Sequence, residues 1–182
     1  MNERVHGVSE AKYSCLVAAL ILILTAAAAH QVKAFTASKV VDAKGRVVGT
    51  LFPAASSSIE DQTNSTALVG INGKLYLLNV GVNGFTDTHR HFYWVSGSCV
   101  GAPLMADESH HLYADAAASG NVMYFAQGPF SSMQVNSDST GEDPEVAASG
   151  CENPSNQQTL SVGAVGTFDL TKLGFKTPFK AK

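Results

Sequence analysis

His89 and His91 stand two residues apart, and Asp107, Glu108, His110 and His111 follow them along the chain. Residues i and i+2 of a β-strand point to one face, so a strand through this H-x-H pair presents two imidazoles side by side. A neighbouring segment carrying His110, His111 and a carboxylate would complete the nitrogen and oxygen donor set that zinc or copper takes. One expectation is therefore a metal centre of His89, His91, His110 and His111, with hydrolytic or redox chemistry. The other is that these are solvated histidines at strand ends and in a loop, with no cofactor. A cupin-type site does not fit, because it needs a glutamate three or four residues after H-x-H, where Val95 and Ser96 stand.

Other chemistries have less to work with. Serines are plentiful, yet no G-x-S-x-G elbow occurs, and a Ser/His/Asp set is recognised by geometry rather than composition. No catalytic residue is assigned on this basis, and the expectation is a chain without enzymatic activity. A glycine-rich phosphate loop is absent, and the acidic run Asp138 to Glu145 lacks the ligand spacing and glycine of a calcium loop. Phe92, Tyr93 and Trp94 are successive, so Phe92 and Trp94 share one strand face while Tyr93 takes the other. They read either as core or, for Tyr93 and Trp94, as an exposed surface that stacks on a glycan or anchors a protein partner.

The elements that position these residues read as strands. Lys39 to Ala43 and Arg46 to Phe52 flank Lys44-Gly45 as a hairpin, and Ala67 to Ile71 and Lys74 to Val80 flank Asn72-Gly73. Asn-Gly is the strongest short hairpin signal, because both central residues of a type I′ turn need positive φ. Apolar residues on both faces of Lys74 to Val80 mark a central strand. Further strands are expected at His91 to Ser96, Ala102 to Met105, His111 to Ala114, Asn121 to Ala126, Ser131 to Val135 and Thr159 to Leu170. Gly163 and Gly166 in the last imply a bulge or bend. Pro53 to Thr63 reads as a Ser/Ala-rich surface loop, and the polar segment 136–158, with Pro144 and Pro154, as a long mobile loop. Eight to ten short strands spaced by turn residues argue an all-β, antiparallel sandwich or small barrel.

Ahead of these strands, Arg4 and Lys12 precede an apolar block from Tyr13 to Ala29, and Val32-Lys33-Ala34 follows. Leu16 to Ala29 is short for a span of about 20 apolar residues and its second half is mostly alanine. The pattern is that of a signal helix with cleavage after Ala34, or near Ala28 or Ala29 as second choice, and an uncleaved anchor is the alternative. The expected organisation is a signal peptide over residues 1–34 and a single β-rich domain over 35–182. Removing the leader lowers the formal charge from −3 to about −4. Such a chain has no basic patch for nucleic acid, and after cleavage no stable membrane span is expected.

Cleavage also removes Cys15, which leaves Cys99 and Cys151. An even pair in an exported protein reads as a disulfide, with two free thiols as the alternative. Closing a loop of about fifty residues adds on the order of 3 to 4 kcal/mol. The sequon Asn64-Ser65-Thr66 matters only in a glycosylating host.

Two stretches, with the Asn72-Gly73 hairpin strands between them, carry a resemblance. Asp42-Ala43-Lys44-Gly45-Arg46-Val47-Val48-Gly49 and Phe92-Tyr93-Trp94-Val95-Ser96-Gly97-Ser98-Cys99-Val100-Gly101 resemble uncharacterised secreted bacterial β-rich proteins. In those, a D-x-x-G-x-x-V-G hairpin precedes an aromatic strand ending S-x-x-C-x-G, and a second cysteine follows. The resemblance covers about Lys39 to Met105 plus Cys151, implies a bacterial source, and leaves the histidines outside the pattern. The functional expectation is a secreted or periplasmic, non-catalytic β module with a binding or structural role. The extracytoplasmic metal-binding protein is its alternative.

Overall fold

The computed structural model describes residues 38–51, 65–151 and 157–182. The expected leader and cleavage site, the segment 53–63 and Asn64 lie outside the described residues. All described residues fall in one compact unit, Ala37–Lys182.

The two hairpins form where turn chemistry placed them. Strands β1 (Lys39–Val41) and β2 (Val47–Leu51) pair across the Lys44-Gly45 turn, and β3 (Ser65–Ile71) pairs with β4 (Lys74–Gly81). Asn72 and Gly73 take φ values of 51° and 80°, the positive pair that the type I′ turn requires. β4 buries Tyr76, Leu77, Leu78 and Val80, as a central strand should. Its far edge is shared by β5 (Gly84–Phe85), antiparallel, and β8 (Ala114–Asp115), which pairs in parallel with Tyr76 and Leu77. With β13 (Lys180–Ala181) on β1, this first sheet runs β13-β1-β2-β3-β4-β5, with β8 beside β4.

Asp42 ties the β1–β2 turn to the chain that leads into β13. Its Oδ1 accepts the Lys44 and Arg46 N–H groups at 2.9 Å each, and its Oδ2 accepts Arg46 Nε at 2.9 Å and the Lys176 N–H at 3.2 Å. The Arg46 guanidinium also donates to the Gly174 carbonyl and lies over the Phe175 ring, 5.1 Å from its centroid. Burial alone would push the Asp42 carboxyl up, but these N–H donors and the guanidinium outweigh it and hold the pKa at about 2. The acidic residue of the first motif is thus a structural clasp.

The second sheet runs β11 (Ser137–Gly141), β6 (Arg90–Trp94), β7 (Leu104–Ala106), β12 (Gln158–Asp169), β10 (Val122–Val135) and β9 (Ala117–Ser119), in that order. Its spine is the long ladder of β10 (Val122–Val135) and β12 (Gln158–Asp169). β10 is continuous where the sequence shows two strands, because Gly128, Pro129 and Phe130 bulge out opposite the single residue Gly163. A Cβ at position 163 would sit 2.8 Å from the Phe130 ring. The irregularity expected in β12 therefore lies on its partner, and glycine supplies the room for it.

β6 (Arg90–Trp94) and β7 (Leu104–Ala106) flank this spine on one side, and β9 (Ala117–Ser119) on the other. One cluster of buried side chains, including Val69, Leu78 and Met123, fills the space between the first sheet and β9–β10. A second joins Phe92, Trp94, Met105 and Ala117 to Tyr124 and the disulfide. Thirteen strands are present among the described residues, more than the eight to ten expected. The unexpected strands are β5, β9 and β13, of two or three residues and too short to leave a period in the sequence, and the five-residue, polar β11.

Residues 136–151 depart from the mobile loop expected over 136–158, of which 152–156, Pro154 included, lie outside the described residues. Residues Ser137–Gly141 form strand β11 against β6, and Pro144–Ser149 form helix α1. The helix starts because Asp143 accepts the Glu145 and Val146 N–H groups at 2.9 and 2.8 Å, with proline in the first turn. The strand is polar yet holds, because its inward serines find backbone partners. Ser137 Oγ donates to the Ser96 carbonyl at 2.8 Å and accepts the Cys99 N–H at 2.9 Å, and Ser139 Oγ donates to the Gly150 carbonyl at 3.0 Å. Cys99 and Cys151 form the disulfide, Cα atoms 5.7 Å apart, and it fixes the end of α1 to the loop after β6.

Candidate functional site

Alternation along β6 sets the site. Phe92 and Trp94 point into the core, and His91 and Tyr93 occupy the opposite face, continued by His89 just before the strand. Trp94 is only 1 % exposed, which corrects its reading as a stacking surface: its indole fills the core under α1. Tyr93 keeps a partly exposed ring, lying near-parallel to His91 with interplanar angle 21° and centroids 6.1 Å apart. Burial, then the Asp138 and Glu108 carboxylates, push the Tyr93 phenol up from its ordinary value, so it stays protonated.

Register decides what the histidines meet. β11 runs antiparallel to β6 with Asp138 opposite Tyr93 and Thr140 opposite His91. His91 Nδ1 accordingly lies 3.4 Å from Asp138 Oδ2 and 3.3 Å from Thr140 Oγ1, and His89 Nε2 lies 3.1 Å from Glu142 Oε2. Each strand histidine thus faces a different carboxylate. His110 and His111 are neighbours, rings 4.2 Å apart, in the exposed turn after β7. Among the described residues, no group of three or more His, Cys, Asp or Glu side chains is placed to hold a metal ion.

That turn, 107–115, is itself tightly built. Asp107 Oδ1 accepts the Ser109 N–H at 2.8 Å, and the Ser161 hydroxyl donates to Asp107 Oδ2 at 3.1 Å. The Ser109 hydroxyl and N–H, acting against burial, hold the Asp107 carboxyl below its ordinary value. Glu108 Oε2 accepts the Asp115 N–H at 2.6 Å. Arg90 reaches the same place from β6: it donates to the His89 carbonyl at 2.7 Å and to Asp115 Oδ1 at 3.4 Å. Its Nε is buried and unpartnered among the described residues.

Two cavities open on either side of these groups. One, of about 320 Å³, is lined by Lys74, Tyr76, His111, Tyr113 and Phe130, among others. The other, of about 110 Å³, is lined by Arg90, His91, Tyr93 and Met105. Ala106, Glu108 and Asp115 wall both. Leu112, 94 % exposed, belongs to the larger one and leaves apolar surface in water.

No family model, curated protein or solved structure matches the chain.

The site is consequently read from its own chemistry. His91, Tyr93 and His111 line the cleft, whereas His89 and His110 do not appear in either lining. Arg90, Asp115, Lys74 and Phe130 were not singled out from sequence. They come from β6, β8, β4 and the β10 bulge, and no spacing in the chain announces that convergence. No helix is long and apolar enough to cross a membrane among the described residues.

Proposed function

We propose that this chain is a secreted or periplasmic, non-catalytic binding module whose ligand sits in the cleft between β6, the 107–115 turn and the β10 bulge. The observation that carries the reading is the pair of cavities sharing Ala106, Glu108 and Asp115 as walls. A concave, partly apolar site with a few convergent polar groups is the usual form of a small-molecule site. Its polar groups are held by Glu108 to Asp115 and Arg90 to Asp115 contacts, so they are oriented before a ligand arrives, which lowers the ordering cost of binding. The leader pattern, the resemblance to secreted bacterial β-rich proteins and the Cys99–Cys151 disulfide support the address.

Two measurements test this. Expression of the full chain in a bacterial host should yield exported protein that begins near Phe35, and exported protein beginning at Met1 would contradict the cleaved leader. A library of small polar fragments, followed by amide shifts in nitrogen-15 spectra, should perturb residues 90–93 and 106–115 together. Fragments that shift only other regions, or none, would remove the cleft from consideration.

A further inference from the structure

Resting on that reading, we propose that the cleft takes a neutral carbohydrate of at least two sugar units. One ring would occupy the larger cavity and the next would lie on the His91–Tyr93 face of the smaller one.

Charge is the first argument. The shared wall presents two carboxylates, Glu108 and Asp115, with the guanidinium of Arg90 in the lining of the smaller cavity and Lys74 in that of the larger. Both signs of charge therefore line the cleft, and no wall of a single sign is offered to an anion or a cation. A phosphate group would meet the carboxylates, and a cationic group would meet Arg90 and Lys74. An entirely apolar ligand would strip water from these groups without replacing its hydrogen bonds, which is costly.

Hydrogen-bond complementarity is the second. A carboxylate only accepts and a guanidinium only donates, each through a planar fork. A sugar hydroxyl does both, so adjacent hydroxyls can donate to Glu108 or Asp115 while accepting from Arg90. The Arg90 side chain is 27 % exposed, so its guanidinium is open to such an acceptor.

The third is the shape of the apolar surface. His91 and Tyr93 offer two near-parallel rings on one strand face, 6.1 Å between centroids. Phe130 and Leu112 line the larger cavity. The C–H face of a pyranose packs on such surfaces while its equatorial hydroxyls reach sideways to the charged wall. Flat rings in both cavities, with the carboxylates of Glu108 and Asp115 shared between them, match a short chain of sugars better than a single one. The larger cavity alone falls at the lower end of the roughly 300–1,000 Å³ of small-molecule sites.

The test uses the full chain on an array of neutral di- and trisaccharides built from glucose, galactose, mannose and N-acetylglucosamine, with hits titrated by calorimetry. At least one neutral oligosaccharide should bind saturably, more tightly than its monosaccharide. His91→Ala and Glu108→Gln should each weaken it at least tenfold while keeping the thermal midpoint and the disulfide. Saturable binding that neither substitution weakens would overturn the proposal by placing the sugar elsewhere. An array without any neutral hit also overturns it. In that case the fragment shifts at 90–93 and 106–115 still decide separately whether the cleft binds something else.

Discussion

The carboxylate of Glu108 holds the backbone N–H of Asp115 at 2.6 Å, and through that bond a polar turn becomes a wall of the cleft. Turns this rich in polar groups are ordinarily mobile. Here Asp107 anchors the other end on β12 by accepting the Ser161 hydroxyl, while its N–H donates to the Ser161 carbonyl at 2.8 Å.

Replacing Glu108 should therefore separate two roles. Glu108→Ala leaves a part-buried N–H without its acceptor and should cost about 1–2 kcal/mol, with faster hydrogen exchange at Asp115. Glu108→Gln keeps a carbonyl acceptor and should leave that exchange nearly unchanged. Equal exchange rates in both variants would show that this bond does not hold the turn.

Gly163 should tolerate no side chain. Gly163→Ala drives a Cβ against the Phe130 ring and the Gln127 carbonyl, and overpacking of this kind costs about 1–3 kcal/mol. Gly70→Ala on β3, where the nearest atom is 3.9 Å away, serves as control and should change stability by less than about 0.5 kcal/mol. Urea unfolding midpoints of the two variants compare them directly.

Asp42 predicts acid sensitivity with a definite sign. Its pKa is lowered from 3.8 to about 2 in the folded chain. A depressed carboxylate stabilises above its unfolded pKa, and that contribution disappears as pH falls through the folded value. The stability difference between the native chain and Asp42→Asn should be full at pH 5 and shrink between about pH 4 and pH 2. A difference independent of pH over that window would mean that the charge of Asp42 is not what clasps Arg46 and Lys176.

Reduction of the Cys99–Cys151 bridge, which closes a separation of 52 residues, should cost about 4 kcal/mol by the chain-entropy relation. The loss should be read first at α1, since Cys151 follows the helix directly. Hydrogen exchange of residues 144–150 should accelerate on reduction before that of the β10–β12 ladder. Simultaneous acceleration of both would indicate a single cooperative unit instead.

Local signals in the sequence carried the fold far, and long-range ones did not. Asn72-Gly73 announced its hairpin because a two-residue turn is decided by two residues. The disulfide followed from pairing the two cysteines that stand beyond the expected leader, Cys99 and Cys151. β11 escaped notice because Ser137 and Ser139 are buried as hydroxyl partners of Ser96, Cys99 and Gly150, and composition alone marks such serines as exposed. The cleft was legible only in part. H-x-H fixed the shared face of His89 and His91, but their partners Glu142 and Asp138 were set by the β6–β11 register, which depends on an unrecognised strand. Arg90 and Asp115 meet across 25 residues through the parallel β4–β8 pairing, and no local pattern encodes that.

The clasp at Asp42 bears on the order in which the molecule can assemble. β1 is bonded to residues far along the chain, with Lys39 and Lys182 exchanging both backbone hydrogen bonds and Ala43 donating to the Lys176 carbonyl. Residues 39–42 thus wait for residues 176–182 during synthesis, and such distant pairings are slow to form. Until then the outer edge of β1 is open to other chains. A nascent chain arrested before Gly174 would carry a formed hairpin with an unsealed margin and an Asp42 whose clasp lacks its second half.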